Sequence, residues 1–335
     1  MVLRLGVDLA GADVAPLEIF HAVQETVQQD PDLHCTLFCT PEIAALLPPF
    51  SRQITTHVSS QYIHMDEEPL KGLRTKREAT VLKGIQELHK KNIDAFISCS
   101  NTGALIGASA LFLSRLPGIH RPGLLALLPS KQQPFAVIDV GGLVMPRVKH
   151  LVQFAFVGAA FQAVYGNMAK PRVALLNVGA ESLKGTQEVR EAWKVLSSIK
   201  EDLFTFIGNV EGKTIFEGGV DVVVTSGFTG NVFLKTAEGI AAFATEMIEA
   251  YISHWATQEI KELFTAVHEH LSYEESFGAV VAGVEELVIK CHGSSSHKAI
   301  CNAVIGAKSL LLKKVTSHMS QSLSKSTAHS FFRAI

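Results

Sequence analysis

The chain has 335 residues, 47% hydrophobic and 19% charged, with a mean hydropathy of +0.23; this excludes disorder and predicts a large core built without disulfides. Thirty basic residues against thirty-two acidic ones give a formal net charge of -2, so no basic field recommends nucleic acid as a partner. Five scattered cysteines fit a reducing compartment, and apolar stretches such as Gly103 to Leu113 fall short of a spanning helix. Asp8 and Asp13 interrupt the start where a secretory signal would be apolar, which leads to the expectation of a cytoplasmic protein.

In chain order, Leu3 to Asp8 reads as a strand, Pro16 to Gln28 as a helix and His34 to Cys39 as a strand. Helix Thr80 to Lys90, strand Ala95 to Cys99 and helix Thr102 to Leu113 follow, then strands Leu124 to Leu128 and Ala136 to Val140. Helix His150 to Tyr165, strand Arg172 to Asn177, helix Thr186 to Lys200, strand Val220 to Val224, strand Glu286 to Lys290 and helix His297 to Leu312 complete the alternation. Short Val/Ile/Leu runs between helical segments predict an α/β fold, an open, mostly parallel sheet with helices on both faces. From Gly239 to Ser276 the pattern is a helical pair, Gly239 to Trp255 and Gln258 to Leu271, an excursion from a single catalytic unit spanning 1–314. The Ser-rich segment 315–335 reads as a loosely ordered tail.

Several strand ends turn to glycine, hydroxyl and amide residues just before a helix. These are Asp8 to Gly11, Ser100-Asn101-Thr102-Gly103, Asn177-Val178-Gly179, Ser226 to Asn231 (with Gly230) and His292-Gly293-Ser294-Ser295. In an open parallel sheet such ends share one edge, where helix amino termini meet anions, so a phosphate-sized anion is the expected ligand. Gly, Ser and Asn are also ordinary turn and cap residues, and only their repetition favours a site. Lys184 follows one strand end, as a cation over that edge or as a solvated lysine. His292 opens a Gly-Ser-Ser turn, where an imidazole either donates to an oxygen or merely caps.

Other patterns are decoys. Gly208 to Thr214 has three residues between its glycines where a P-loop needs four, and His268-Glu269-His270 lacks metalloprotease spacing. Cys35 and Cys39 read as core thiols. With no Gly-x-Ser-x-Gly elbow and no cysteine in a nucleophile motif, any acyl chemistry must use a bound substrate as nucleophile.

From Leu5 to about Lys308 the ordered set of stretches resembles the fatty acyl-ACP:phosphate acyltransferases of the PlsX type. The set is Val7-Asp8 through Asp13 with Ala15-Pro16, Glu68-Pro69 with Leu73-Arg74, Asn101 to Ala104, His150 to Ala155, and Asn177 to Gly185. It continues with Phe206 to Gly212, Gly227 to Val232 with Leu234-Lys235-Thr236, and His292 to Ser295. The resemblance implies a fold similar to that of phosphotransacetylases, a homodimer, no cofactor, and acyl transfer from acyl carrier protein to inorganic phosphate for phospholipid synthesis. It also implies that phosphate is positioned by the turns carrying Asp8, Gly11, Asn101, Thr102, Gly103, Asn177, Gly179, Gly230, Asn231, Ser294 and Ser295. Lys184 would neutralise charge, and His292 would stabilise the oxyanion or protonate the leaving thiolate.

The chain departs from the family pattern in three places. Leu9, Ala10 and Ala12 replace the middle of the first motif, Leu143 and Met145 stand where the family carries an amide and a carboxylate, and Ser226 replaces an Asp. Two alternatives follow: a phosphotransacetylase-like enzyme using a short acyl-CoA, and a weakened scaffold that binds acyl carrier protein. From Glu246 to Phe277 seven glutamates face one lysine, so anionic lipid should repel the arm. Weak peripheral membrane contact would then depend on Phe243, Met247, Tyr251 and Trp255, a stripe more at home in a dimer or core. A stripe of Phe243, Ile248, Ile252 and Leu263 leads to the expectation of a two-fold dimer.

Overall fold

The computed structural model describes residues 2–252, 257–260, 262, 264 and 277–326. Eleven strands form one sheet in the order β3-β2-β1-β4-β11-β10-β5-β6-β9-β7-β8. They are β1 (Leu3–Asp8), β2 (Leu33–Cys39), β3 (Ile54–Val58), β4 (Ala95–Ser98), β5 (Gly123–Leu128), β6 (Phe135–Ile138), β7 (Arg172–Leu176), β8 (Thr205–Val210), β9 (Val222–Val224), β10 (Ala279–Ala282) and β11 (Leu287–Lys290). The central strands β4, β5, β6, β9, β10 and β11 are buried at every position, which is why they read as unbroken apolar runs.

Helices cover both faces, as expected. On one face α1 (Pro16–Gln28), α6 (Val148–Tyr165), α7 (Gln187–Ser198), α9 (His297–Leu312) and α10 (Val315–Lys325) share a core with Phe20, Phe154, Phe161, Ala192 and Ile300. On the other, α3 (Pro69–Thr75), α4 (Thr80–His89), α5 (Thr102–Phe112) and α8 (Gly227–Ile252) contribute Leu73, Ile85, Leu105 and Leu234. A short α2 (Pro41–Leu46) follows β2.

The sheet is mostly parallel, as expected, but β11/β10, β10/β5 and β5/β6 pair antiparallel. β6, β9, β7 and β8 therefore run opposite to β1, β4 and β11, and their carboxyl ends lie on the opposite edge. The helix expected from Gly239 begins at Gly227, and most of its expected partner, Gln258 to Leu271, lies outside the described residues. The helix runs unbroken through Gly239, since a single glycine weakens a helix by only about 1 kcal/mol without ending it. The expected loose tail is helical over Val315–Lys325, where Val315, Met319 and Leu323, four residues apart, are buried against the body. Residues 327–335 lie outside the described residues.

Candidate active site

On the first edge, the turns after β1, β4 and β11 are tied to one another. Asp8 is fully buried, accepting hydrogen bonds from the Ala10 N-H (3.2 Å) and the Ser98 hydroxyl (3.1 Å). Burial raises its pKa to about 6 against the opposing pull of hydrogen bonds from Thr80, Ala10, Ser98 and Ser100. Gly11 needs its positive φ of 73°, and a Cβ there would lie 2.5 Å from the Ile63 carbonyl. The N-H groups of Asp13 and Val14 both donate to the Gly293 carbonyl, at 3.0 and 2.9 Å, which latches the first turn to the His292 turn.

Asn101 caps α5 by accepting from the Ala104 N-H at 3.1 Å, while its amide donates to the carbonyls of His64, Met65 and Glu67. Thr102 and Gly103, half-buried, open α5 behind it. His292 is solvent-facing, and its Nδ1 sits 2.7 Å from the Ser294 hydroxyl and accepts the Ser294 N-H at 3.2 Å. That backbone donor assigns the ring proton to Nε2. Burial, then Lys235, depresses the His292 pKa. The Ser295 hydroxyl donates to the His292 carbonyl at 2.9 Å, closing the turn on itself.

On the second edge, Asp139 accepts from the N-H groups of Leu124 (2.9 Å), Gly141 (3.1 Å), Gly142 (2.7 Å) and Leu143. Burial raises its pKa, opposed by those donors. Asn177 donates to the Lys184 carbonyl at 3.0 Å, and Asn209 donates to the Glu181 carbonyl at 2.8 Å. Lys184 is exposed, with its stem lying against Gly179. Ser226 accepts from the Thr229 N-H at 3.1 Å and so caps α8. Gly230 is required here, because a Cβ would lie 1.9 Å from the Asp139 carbonyl, and Asn231 stands beside Gly141.

The sequence-derived set thus divides between opposite edges. Asp8, Gly11, Asn101, Thr102, Gly103, His292, Ser294 and Ser295 are on the first; Asn177, Gly179, Lys184, Gly230 and Asn231 are on the second. Their expected common edge is wrong, because the three antiparallel pairs reverse the sheet between them. Two helices bridge the groups. A Cβ at Gly142 would lie 3.2 Å from Ile106 of α5, so the Asp139 turn folds back over that helix. Lys235 of α8 is close enough to lower the His292 pKa, and four residues separate it from Asn231, about 6 Å of helix.

Lys235 was not singled out from the sequence, although it stood inside a recognised stretch. It forms an ion pair with Glu238 at 2.8 Å. Only the path of α8 across the sheet brings it to His292. Between them opens a cavity of about 1040 Å³, lined by His292, Ser294, Ser295 and Lys235 and by Phe216, Phe233, Ile240 and Ala241.

The family of fatty acid synthesis proteins matches residues 3–318. A phosphate acyltransferase of Thermoanaerobacter pseudethanolicus is 33% identical over 326 residues, 96% of this chain and 97% of that one. A phosphate acyltransferase of Dictyoglomus turgidum is 34% identical over 334 residues, covering 97% and 99%. The chain belongs to the phosphate acyltransferase family. It is therefore an acyltransferase. Among solved structures, a phosphotransacetylase from Streptococcus pyogenes matches with a TM-score of 0.58 at 14% identity, covering 97% of this chain and 95% of that one. A phosphotransacetylase from Staphylococcus aureus gives 0.57 at 14%, covering 96% and 94%. These likenesses bear out the expected fold.

The departures at Leu143, Met145 and Ser226 have different local consequences. Ser226 still caps α8, the task an aspartate performs equally well at a helix start. Leu143 contributes its N-H to Asp139, whereas the Met145 side chain is 85% exposed and contributes no polar group.

Proposed function

We propose that the chain transfers a fatty acyl group from acyl carrier protein to inorganic phosphate, giving an acyl phosphate for phospholipid synthesis. The observation that carries this reading is the cavity of about 1040 Å³, polar at the His292 end and walled by Phe216, Phe233, Ile240 and Ala241. It accommodates a long acyl chain beside a reacting carbonyl. An acetyl group would leave most of it empty.

In this reaction a phosphate oxygen attacks the thioester carbonyl carbon and the carbonyl oxygen takes up the charge. Collapse of the tetrahedral adduct expels the thiolate of the carrier. Because phosphate is the nucleophile, no acyl-enzyme forms. His292, whose depressed pKa favours the neutral ring, offers its Nε2-H to the oxyanion. Oxyanion stabilisation suits that state better than protonation of the leaving thiolate.

Two cations serve the charge. We assign Lys235 to the His292 end, where its field already acts on the imidazole. Lys184, with Asn177, Gly179, Gly230 and Asn231, meets phosphate from the opposite edge, together with the amino terminus of α8. Thr102, Gly103, Gly11 and Ser294 contact the substrate. Asp8, Asn101 and Ser295 spend their hydrogen bonds on the turns themselves and act by holding them.

Purified protein incubated with phosphate and either palmitoyl-ACP or acetyl-CoA tests the reading. Palmitoyl phosphate from the first donor supports it. Acetyl phosphate alone would shift the assignment to the short acyl-CoA reaction, and no acyl phosphate from either would favour the carrier-binding scaffold.

The same reading includes a cytoplasmic homodimer joined through α8. Ile240, Phe243, Met247, Ile248 and Tyr251 are all at least 40% exposed on the single chain, and such an apolar face favours a second copy. Ile252, Trp255 and Leu263, also expected to contribute, have side chains outside the described residues. Sedimentation showing only monomer at micromolar concentration would refute the dimer. Among the described residues no helix is long and apolar enough to cross a membrane. Membrane contact is expected to be weak and insensitive to salt, and strong binding to anionic liposomes that moderate salt abolishes would contradict it.

A further inference from the structure

Behind the His292 turn, on the face opposite the cavity-forming α8, α9 lies along α1. His297 is the first residue of α9 and Cys301 follows four positions later, so both project from the same side of the helix. Glu25 of α1 completes a group in which one nitrogen, one sulfur and one oxygen all lie within 4.8 Å of one another. The closest pair, His297 Nε2 and Glu25 Oε2, is 2.8 Å apart, which by itself is an ordinary surface hydrogen bond. The third donor changes its meaning. Cys301 Sγ makes only weak contacts, with the Ala22 carbonyl at 3.5 Å and with Thr26, and because burial raises its pKa an ion must displace its proton on binding.

We propose that Glu25, His297 and Cys301 bind a divalent transition ion of the zinc class, holding α1 against α9. A thiolate, an imidazole and a carboxylate form a borderline-soft donor set that suits zinc and disfavours the oxygen-seeking magnesium and calcium. Ion-to-donor distances of about 2.0–2.3 Å in a tetrahedron put donors about 3.3–3.6 Å apart, so the His297–Glu25 pair must open slightly from 2.8 Å while any wider pair closes from at most 4.8 Å, leaving a fourth position for water. Glu25 and His297 are 57% and 41% exposed at their side chains, so the ion has an open approach. Deprotonated Cys301 and Glu25 would bring two negative charges, which balance the divalent ion.

The position gives the ion a task distinct from acyl transfer. α9 starts immediately after Ser296, the end of the turn that carries His292, Ser294 and Ser295. An ion joining its first two turns to α1 braces the helix on which that turn rests, and α1 itself follows the β1 turn latched to Gly293. It touches no reacting atom. The site is thus a structural brace, independent of which acyl donor the protein uses.

Titration calorimetry of the full chain with zinc ion alone, in a thiol-free reductant, is the test. One ion per chain with a dissociation constant of about 1 μM or tighter is expected; loss of a ligand should weaken it more than the roughly 10–100-fold seen when only an outer partner is removed. Cys301→Ser and Glu25→Gln should both show that loss. Cobalt ion provides a second readout, because only a sulfur-bound site gives a thiolate charge-transfer band, and that band should vanish in Cys301→Ser. Circular dichroism checks that this variant folds; if it does not, Glu25→Gln, on an exposed helix face, decides by calorimetry alone. Millimolar binding to the wild-type chain, or unchanged zinc affinity in folded Cys301→Ser or in Glu25→Gln, would overturn the proposal.

Discussion

The His292 turn and the Lys184 loop both follow strands of one sheet, yet they are built in different ways. The His292 turn is closed by its own side chains and latched through Gly293 to the turn after β1, so its donors are fixed before any ligand arrives. The Lys184 loop is held by two asparagine side chains, with Val178 and Leu183 about 80% exposed beside it. The comparison separates a preorganised element, suited to a developing charge, from an adaptable one suited to an incoming anion. Opposite strand directions make this division possible, since one parallel array would have put both at the same edge.

The largest expected effect is on the fixed element. His292→Ala should lower turnover by roughly 10²–10³-fold, the scale for losing one oxyanion donor, with little change in thermal stability. Steady-state kinetics with a long-chain acyl-ACP checks it. Lys184→Ala should instead raise the KM for phosphate, and Lys235→Ala should lower kcat, each by roughly tenfold to a hundredfold. If Lys184→Ala changes kcat while leaving the KM for phosphate intact, the division of roles between the edges is wrong.

Smaller effects fall on stability. Asn101→Ala removes the cap of α5 and the common donor to three carbonyls of residues 64–67, which should cost about 1–2 kcal/mol for the cap alone. Thermal unfolding reads this as a lowered Tm. Asp8 gives a pH-dependent effect of definite sign. Its folded pKa of about 6 lies above the ordinary aspartate value of 3.8, so the folded state binds more protons between those values. Stability from this group is therefore present below that window and lost as pH rises through it. Asp8→Asn should flatten this part of the stability profile, and a wild-type profile that rises across it relative to the variant would contradict the argument. The smallest effect is expected at Ser226→Asp, within about 0.5 kcal/mol, since either side chain caps α8.

The sequence made much of this architecture visible, because the central strands are apolar at consecutive positions and helices such as Pro16–Gln28 and His297–Leu312 have clear periods. The strands it missed carry weaker patterns. β3 and β8 lie at the two sheet edges, where Thr55, Thr56 and Thr205 face water, and β10 is only four residues long. Strand direction was not legible either: Leu124 to Leu128 and Ala136 to Val140 look the same whether they run parallel or antiparallel. That ambiguity put the turn residues on one edge. The resemblance located the recognised stretches, but the nearness of Lys235 to His292 depends on how far α8 travels over the sheet. A Gly at 239 disguised that length.

The most direct measurement is the acyl chain-length profile of acyl phosphate formation by the wild-type chain and by Ala241→Trp. Ala241 lines the apolar wall of the cavity, away from the groups assigned to the chemistry. An indole there should shift the preference from palmitoyl toward shorter acyl-ACP donors while leaving turnover with a short donor largely unchanged. An unaltered profile in a folded Ala241→Trp protein would show that the acyl chain lies elsewhere, and the cavity would no longer support the proposed reaction.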